Sequence, residues 1–209
     1  MRSPGSVRSL ETLGRVRLSK HYFMRDFLYS EIANHYGQPN IPEDPDTAIA
    51  AGQGLCQALL DPLTETFGPL HIRSSYRSPS LNAFGNDRTL NCGSNEFNRA
   101  GHIWDSRMED GSLGACACIV VPWFADRYAE GRDWRDLAWW IHDHLPYARM
   151  TFFQHLAAFN LTWREKPVRR IDSWIGGPGC KLLWKEGQPE PDERARYADF
   201  PPFRGIHYP

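Results

Sequence analysis

Two acid-base side chains stand close together in GHIWDSRMED, where His102 and Asp105 precede an acidic turn. An imidazole and a carboxylate three residues apart can converge on a metal ion at a turn, whereas on a strand they face opposite sides. The commoner interpretation is a solvated acidic turn beside a single histidine, and a replacement metal site is the alternative. We predict that both side chains contribute to ligand binding.

The cysteines give no sign of a metal or redox centre. Cys116 and Cys118 in GACACIVV would point to the same face of a strand, an orientation that does not suit a mutual disulfide. A cysteine zinc site usually needs a second ligand pair, but Cys56, Cys92 and Cys180 are isolated in the sequence. We therefore predict a buried core strand with free thiols and no cysteine nucleophile.

A third motif, SSYRSPSLN, places Tyr76, Arg77 and Ser78 in succession. A guanidinium offers paired donors and stays protonated, so Arg77 is suited to a terminal carboxylate or an oxyanion. The alternative is that Arg77 ties the following segment to the sheet. That segment, residues 82–101, is polar and rich in Gly and Asn, and we predict a long loop that frames a cleft.

Composition limits the class of protein. A chain of 209 residues with 41% hydrophobic residues predicts one domain with a substantial core, and the net charge of -1 gives no reason to expect nucleic-acid binding. An odd number of cysteines, five, does not suggest a disulfide scaffold. The N-terminal segment is not continuously apolar, so neither a secretory signal nor a membrane span is predicted. We expect a soluble protein made in the cytoplasm.

The elements that must position these motifs follow from periodicity. Residues 1–17 carry four arginines against one acid and are predicted to form a mobile basic arm. Helical spacing of apolar residues predicts helices over residues 18–37 and 44–68, and Pro62 could divide the second one. A third helix is predicted over residues 133–145, with His144 as a hydrogen-bonded core histidine. Strands are predicted at residues 69–82, 100–105, 114–121, 148–156 and 157–165.

The segment after Ile175 has a different composition from the rest of the chain. Six of the sixteen prolines lie beyond Gly177, and such a segment is not expected to pair in a sheet. We predict an extended C-terminal arm, residues 176–209, that contacts another protein subunit. Its candidate anchors are the aromatic residues Trp184, Tyr197, Phe200, Phe203 and Tyr208.

The stretch from about Leu18 to Trp163 resembles the bacterial and phage D-Ala-D-Ala zinc carboxypeptidases of the Hedgehog/DD-peptidase fold. The likeness rests on LSKHYFMRDFLYSE, on LLDPLTETFGPLHI and most specifically on SSYRSPSLN. The resemblance implies an α+β fold in which a helix-rich N-terminal half packs on a small antiparallel sheet, from residue 18 to residue 175. It also implies that Arg77 binds substrate and stabilises developing negative charge.

The zinc motif of that family, S-x-H-x-x-G-x-A-x-D, fits this sequence in two ways. In one alignment GSLGACACIVV is the zinc strand, so that Gly111 replaces the histidine and Cys118 the aspartate. In the other, NRAGHIWD is the zinc strand, Asn98 replaces the histidine, and Asp105 preserves the aspartate. The sequence leaves both alignments open.

Both alignments lose the rest of the metal site, because Gln154 stands for the catalytic glutamate and Asn160 for the last histidine. Glutamine cannot take a proton from water as a carboxylate can, and an amide is a poor zinc ligand. We therefore predict no catalytic residue and no stoichiometric zinc or other cofactor. The predicted substrate-binding set is Tyr76, Arg77, Ser78, His102 and Asp105.

The functional prediction is a non-catalytic peptidase-like domain with a structural or binding role. The resemblance implies a phage-encoded origin, as a tail or virion component assembled into a phage particle. One alternative is a peptidoglycan peptidase that holds zinc with a non-standard ligand set. Another is a module that binds cell-wall peptides, and neither a membrane nor a nucleic acid is an expected partner.

Overall fold

The computed structural model describes residues 1–206 and 208, and His207 and Pro209, at the end of the predicted arm, lie outside the described residues. The fold is α+β, with helices packed on a six-stranded sheet of strand order β1-β2-β4-β3-β5-β6. The strands are β1 (His71–Ser74), β2 (Gly114–Val120), β3 (Arg149–Phe152), β4 (Phe159–Arg164), β5 (Arg170–Ser173) and β6 (Lys181–Lys185).

The N-terminal half is rich in helix, as predicted. The α-helices are α1 (Val7–Gly14), α2 (Glu31–Tyr36), α3 (Pro45–Leu55), α4 (Asp61–Phe67), α5 (Pro79–Asp87), α6 (Asn95–Asn98), α7 (Pro122–Ala129) and α8 (Trp134–His144). Short 3-10 segments occur at Met24–Phe27, His155–Ala157 and Arg194–Tyr197. None of the helices in residues 1–206 is long and apolar enough to cross a bilayer.

The sheet is mixed, so the prediction of a purely antiparallel sheet is wrong at one pair. β3 and β4 form an antiparallel hairpin, and β5 follows β4 after a short connection. β5 therefore runs opposite to β4, and because it lies beside β3 the two strands are parallel. The remaining pairs, β1–β2, β2–β4 and β5–β6, are antiparallel.

The core lies between the helices and one face of the sheet. Alternation on β2 sends Ala115, Ala117 and Ile119 into this core, where small side chains let α3 approach closely. The approach is close enough that a side chain at Gly54 of α3 would collide with the Trp163 ring of β4. The opposite face of the sheet is polar and carries the cleft described below.

The helix predicted over residues 44–68 is divided, as Pro62 suggested. A π-helical turn, Cys56–Leu60, separates α3 from α4, and Pro62 lies in the first turn of α4. Proline lacks the amide hydrogen that would continue an α-helical ladder, and a wider turn accommodates that loss. Gly68, with φ of 89°, ends α4, and Gly37, with φ of 64°, ends α2.

Residues 1–17 are not a mobile arm, and that prediction is wrong. Ser6 caps α1 through a reciprocal hydrogen-bond pair with Ser9, and Leu13 is fully buried. The helix also holds an exposed Glu11–Arg15 ion pair. Arginine content therefore indicated a solvated helix face and not a disordered segment.

Two further predictions fail between residues 69 and 105. The segment 82–101 contains α5 and α6 instead of one long loop, and residues 100–105 form tight turns instead of a strand. β1 ends at Ser74 because Ser78 caps α5 with Pro79 at its first position. The Ser-Pro dipeptide was the helix-start signal in the sequence.

The C-terminal segment pairs in the sheet, contrary to the prediction. KLLWK contains no proline, and it forms the edge strand β6, antiparallel to β5. Beyond it the chain packs on its own domain, where Phe200 contacts the rings of Phe67, Trp123 and Phe124. Trp184 and Phe200 are buried within this chain, whereas Leu182, Phe203 and Tyr208 remain partly exposed.

Candidate functional site

A cleft of about 630 Å³ opens on the polar face of the sheet. Its floor is formed by side chains that alternate with core residues along β2, β3 and β4, and α6 and the segments around β5 and β6 form its walls. The floor residues are Cys116, Arg149, Thr151, Asn160, Thr162 and Arg164. The three central strands therefore present one continuous polar surface.

His102 lies at one side of this cleft and is buried. Its Nδ1 is 2.8 Å from the Ser75 carbonyl oxygen, which can only accept, so Nδ1 carries the proton and Nε2 is free of it. Burial, and then the positive charge of Arg77, lower the pKa of His102 to about 3. The ring is therefore neutral at physiological pH.

Tight turns hold His102 in place. Ala100 has φ of 47°, an uncommon value for a residue other than glycine, and the Gly101 carbonyl accepts a hydrogen bond of 2.9 Å from the Cys116 amide of β2. A side chain at Gly114 would collide with the Ala100 carbonyl. The turn that carries His102 is therefore strained at Ala100 and is hydrogen-bonded to β2.

Arg77 lies near His102 but does not line the same cleft. Its Nη1 donates to Asn82 Oδ1 at 3.3 Å and to Cys92 Sγ at 2.7 Å, so it ties α5 and the following segment to the end of β1. Its buried Nε has no partner among the described residues. A separate cavity of about 240 Å³, lined by Leu90 and Asn91, lies beside it.

The other members of the predicted binding set have structural contacts. Tyr76 is fully buried and donates to Asp105 Oδ2 at 3.0 Å, and the Glu43 amide donates to the same oxygen at 2.8 Å. Burial raises the pKa of Asp105. Ser78 caps α5 through a hydrogen bond from the Leu81 amide. The structure therefore places His102 in the cleft and Tyr76, Ser78 and Asp105 outside it.

The residues at the zinc positions of the resembled family do not fit a zinc ion. Asn98 uses its amide to hold Asn82 and the Gly93 carbonyl, and Asn160 offers a second amide to the cleft. Asp105 is held by Tyr76 away from His102, and Gly111 lies in an exposed turn. Within residues 1–206 and 208, no three His, Cys, Asp or Glu side chains are grouped to hold a metal ion.

His102 nonetheless has the orientation expected of a metal-binding histidine. Such a ligand donates one ring N–H to a backbone carbonyl and directs the other nitrogen at the metal. Here the remaining nitrogen faces the Asn160 amide instead. An amide partner in that position makes His102 part of a neutral hydrogen-bonded floor.

The cysteine and glutamine positions likewise lack reactive groups. Cys118 packs with Val120, Ala125 and Ala158, and burial raises the pKa of Cys118 to about 11 and that of Cys116 to about 12. All five cysteines are free. Gln154 is exposed at the β3–β4 turn and donates to the Tyr128 hydroxyl at 3.2 Å. The prediction of a core strand with free thiols is confirmed.

Sequence reasoning missed the cationic side chains of the cleft. Arg149, Arg164, Arg169, Arg170 and Lys185 line it, whereas Glu186 is the only carboxylate among its described lining residues. The signal was the alternation in FNLTWR, where Asn, Thr and Arg occupy one face of a strand and Phe, Leu and Trp the other. The pairing of β5 with β3, which brings Arg170 to the same face, was not visible in the sequence.

Comparisons with known proteins add no identification. No family model matches the chain. No curated protein matches it, and no solved structure matches it either. The resemblance to D-Ala-D-Ala carboxypeptidases therefore remains an inference from the sequence.

Proposed function

We propose that this chain is a non-catalytic, peptidase-like domain of the Hedgehog/DD-peptidase type whose function is to bind a peptide in the cleft on its sheet. The observation that carries the proposal is the cleft itself, which is lined by hydroxyl, amide and guanidinium groups. Such groups can hold the amides and carboxylates of a peptide by hydrogen bonds.

The groups that line the cleft are poor at proton transfer. His102 is neutral, and a group with a pKa near 3 is a weak base at neutral pH. Glu186 is exposed at the rim and accepts a hydrogen bond of 3.0 Å from the Arg169 amide. Gln154 and Asp105, the positions from which the resembled family would draw a catalytic base and a metal ligand, do not line the cleft. These features favour binding over hydrolysis.

The resemblance suggests the ligand and the setting of the proposed function. A peptidoglycan stem peptide ending in D-Ala-D-Ala is the ligand class of the resembled enzymes, and a phage particle is one setting in which their relatives occur. Both elements belong to the proposal.

Titration and elemental analysis test this proposal together. We expect purified protein to bind a muropeptide that ends in D-Ala-D-Ala, to leave it uncleaved, and to contain no stoichiometric zinc. Cleavage of the peptide, or about one zinc per chain that is lost on His102→Ala, would establish the metallopeptidase alternative. Absence of binding would remove the peptide from the proposal.

A second role, assembly through the C-terminal segment, is supported by its remaining exposed side chains. Leu182, Phe203 and Tyr208 are partly exposed, whereas Trp184 and Phe200 are already covered by the chain itself. A neighbouring subunit would therefore contact Leu182, Phe203 and Tyr208. Light scattering of the wild type and of Phe203→Lys tests this role, because a wild-type monomer or an unchanged assembly would contradict it.

A further inference from the structure

The cleft concentrates positive charge that the whole chain does not have. The chain carries a net charge of -1, yet four arginines and one lysine line this one depression. A concave surface lined by charges of one sign focuses the electrostatic potential and raises the local concentration of oppositely charged ligands.

Three of the four arginines are held by groups of the protein. Asp172 is buried and pairs with both Arg149, at 2.7 Å, and Arg170, at 2.8 Å. Arg169 donates to the His142 carbonyl, and its guanidinium lies 4.7 Å from the centroid of the Tyr147 ring. One carboxylate thus serves two guanidinium groups, which leaves one positive charge in excess.

Arg164 has no such partner. Among residues 1–206 and 208, no carboxylate lies within 4.0 Å of its guanidinium, and its buried Nε makes no hydrogen bond. The side chain is half-buried at the floor and also lines a neighbouring cavity of about 430 Å³, whose lining includes Glu96, Glu109 and Asp110. Burial, and then the like charge of Arg149, lower the pKa of Arg164 from its ordinary value. A half-buried cation beside another cation is costly unless an anion is bound.

The backbone of β2 makes room for this side chain. Gly114 lies opposite Arg164 in the register of β2 and β4. A Cβ atom at Gly114 would come within 3.0 Å of Arg164 Cγ, so the glycine lets the arginine stem lie against the strand. The sheet therefore directs the guanidinium along its polar face into the cleft.

Apolar side chains stand exposed around the cationic floor. Phe97, Val168 and Trp174 line the cleft with exposed fractions of 64%, 71% and 49%. The Arg149 guanidinium lies 5.6 Å from the centroid of the Phe97 ring, so charged and aromatic surfaces adjoin. Exposed aromatic groups at a concave site are typical of ligand contacts.

We propose that Arg149 and Arg164 form a binding site for an oxyanion, a carboxylate or a phosphate, on a ligand whose apolar part contacts Phe97 and Trp174. The inference deepens the proposed function on which it rests, because an acidic side chain or the terminal carboxylate of the peptide would supply the oxyanion. The site is separate from Arg77, which lies outside this cleft.

Three small probes of matched shape test the chemistry by calorimetric titration: N-benzoylglycine, its uncharged amide, and phenyl phosphate. We expect the carboxylate or the phosphate probe to bind, with an affinity that falls as salt is added, and the amide not to bind. The comparison between the two anionic probes identifies the preferred oxyanion.

Arg164→Gln should lower the affinity for the anionic probe by about tenfold or more, because the substitution removes the unpaired positive charge. Arg88→Gln is the matched control, since Arg88 is an exposed arginine directly after α5 whose loss changes the net charge equally. Val168→Asp, a change at an exposed rim position, should also abolish binding and guards against misfolding of the first variant. Equal binding by wild type and both cleft variants would overturn the proposal, as would equal binding of the amide.

The muropeptide titration separates this inference from the proposed function. Binding of the small anion without binding of the muropeptide would retain the oxyanion site and refute the peptide ligand. Binding of the muropeptide unchanged by Arg164→Gln, with no binding of either anion, would retain the proposed function and refute the oxyanion site. A single-stranded oligonucleotide that binds more tightly than all the probes would overturn the assignment to a peptide.

Discussion

At the scale of single residues, the polar face of the sheet depends on a few buried ionisable groups. Asp172 is the counter-charge of Arg149 and Arg170, and His102 is a neutral ring held by a backbone carbonyl. The sequence marked His102 as a candidate site residue, but it gave no sign of the Ser75 carbonyl as its partner or of Asp172. Each one gives a prediction that can be measured on the purified protein.

Asp172→Asn should lower the free energy of unfolding by about 2 kcal/mol, because it leaves two arginines without their carboxylate. The cost is smaller than for a fully buried pair since both guanidinium groups are partly exposed. Denaturant unfolding measures the change, and Asp87→Asn, at an exposed position on α5, is the control. Equal stability of the two variants would show that Asp172 does not organise the arginines.

His102 should make folding stability sensitive to acid. Its pKa of about 3 in the folded chain lies below the value of about 6.5 expected in the unfolded chain, so the unfolded state takes up the proton first. Above pH 6.5 the imidazole is neutral in both states, and protonation does not reduce the free energy of unfolding. As the pH falls from 6.5 towards 3, protonation of the unfolded state lowers the free energy of unfolding by up to about 1.4 kcal/mol per pH unit.

The measurement is the unfolding free energy between pH 7 and pH 4 for wild type and for His102→Gln. We expect a shallower decline in the variant, which has no imidazole to protonate. His35→Gln, which removes an exposed imidazole from α2, is the matched control. Parallel curves for wild type and His102→Gln would contradict the burial of a neutral His102.

At the scale of elements, two glycines of α3 allow the helix to pack closely against neighbouring tryptophan rings. Gly52 faces Trp104, and Gly54 faces the Trp163 ring of β4. Glycine in a helix interior normally costs about 1 kcal/mol relative to alanine. Its presence here is explained by the aromatic rings that occupy the space of a side chain.

Gly54→Ala should therefore destabilise the protein by about 2 kcal/mol, although alanine favours helix. In a Trp163→Leu background the same change should cost much less, because the ring that it meets is gone. A double-mutant cycle by thermal or denaturant unfolding measures this coupling. Additive effects would show that the helix shifts to accommodate the alanine.

At the scale of the whole molecule, the C-terminal segment completes the domain. β6 extends the sheet, and Arg132 bridges to Asp199 while Phe200 enters the aromatic core. If this segment were only an arm for another subunit, as the sequence predicted, removing residues 180–209 would leave the core folded. The observed contacts predict that this truncation destabilises the domain, because it uncovers apolar surface and a sheet edge.

Phe200→Ala should lower the unfolding free energy by about 3–4 kcal/mol, since its ring packs against three aromatic side chains and is 8% exposed. Phe203→Ala, at a position 40% exposed, should cost less than about 1 kcal/mol. Chemical denaturation of the two variants measures the difference. Similar costs would indicate that the segment is only loosely attached.

Local patterns in the sequence were sufficient for β2, β4, α8 and the division of the helix at Pro62. Each of these depends on interactions within one segment, such as apolar periodicity, a missing amide hydrogen or a run of small and β-branched residues. The same reasoning predicted that the two cysteines of β2 are buried. It failed at residues 1–17 and 181–185, where short elements are stable only because other elements cover them.

The sequence by itself determined the α+β class, the burial of the two strand cysteines, and the side-chain types available to a site. Only the tertiary structure decided which of them meet, because the parallel pairing of β3 with β5 brings Arg149 and Arg170 to one buried aspartate. It also separated His102 from Asp105, which are three residues apart but lie in different hydrogen-bond networks. Proximity along the chain depends on covalent spacing, whereas proximity in a cleft depends on strand order and on which face each side chain occupies.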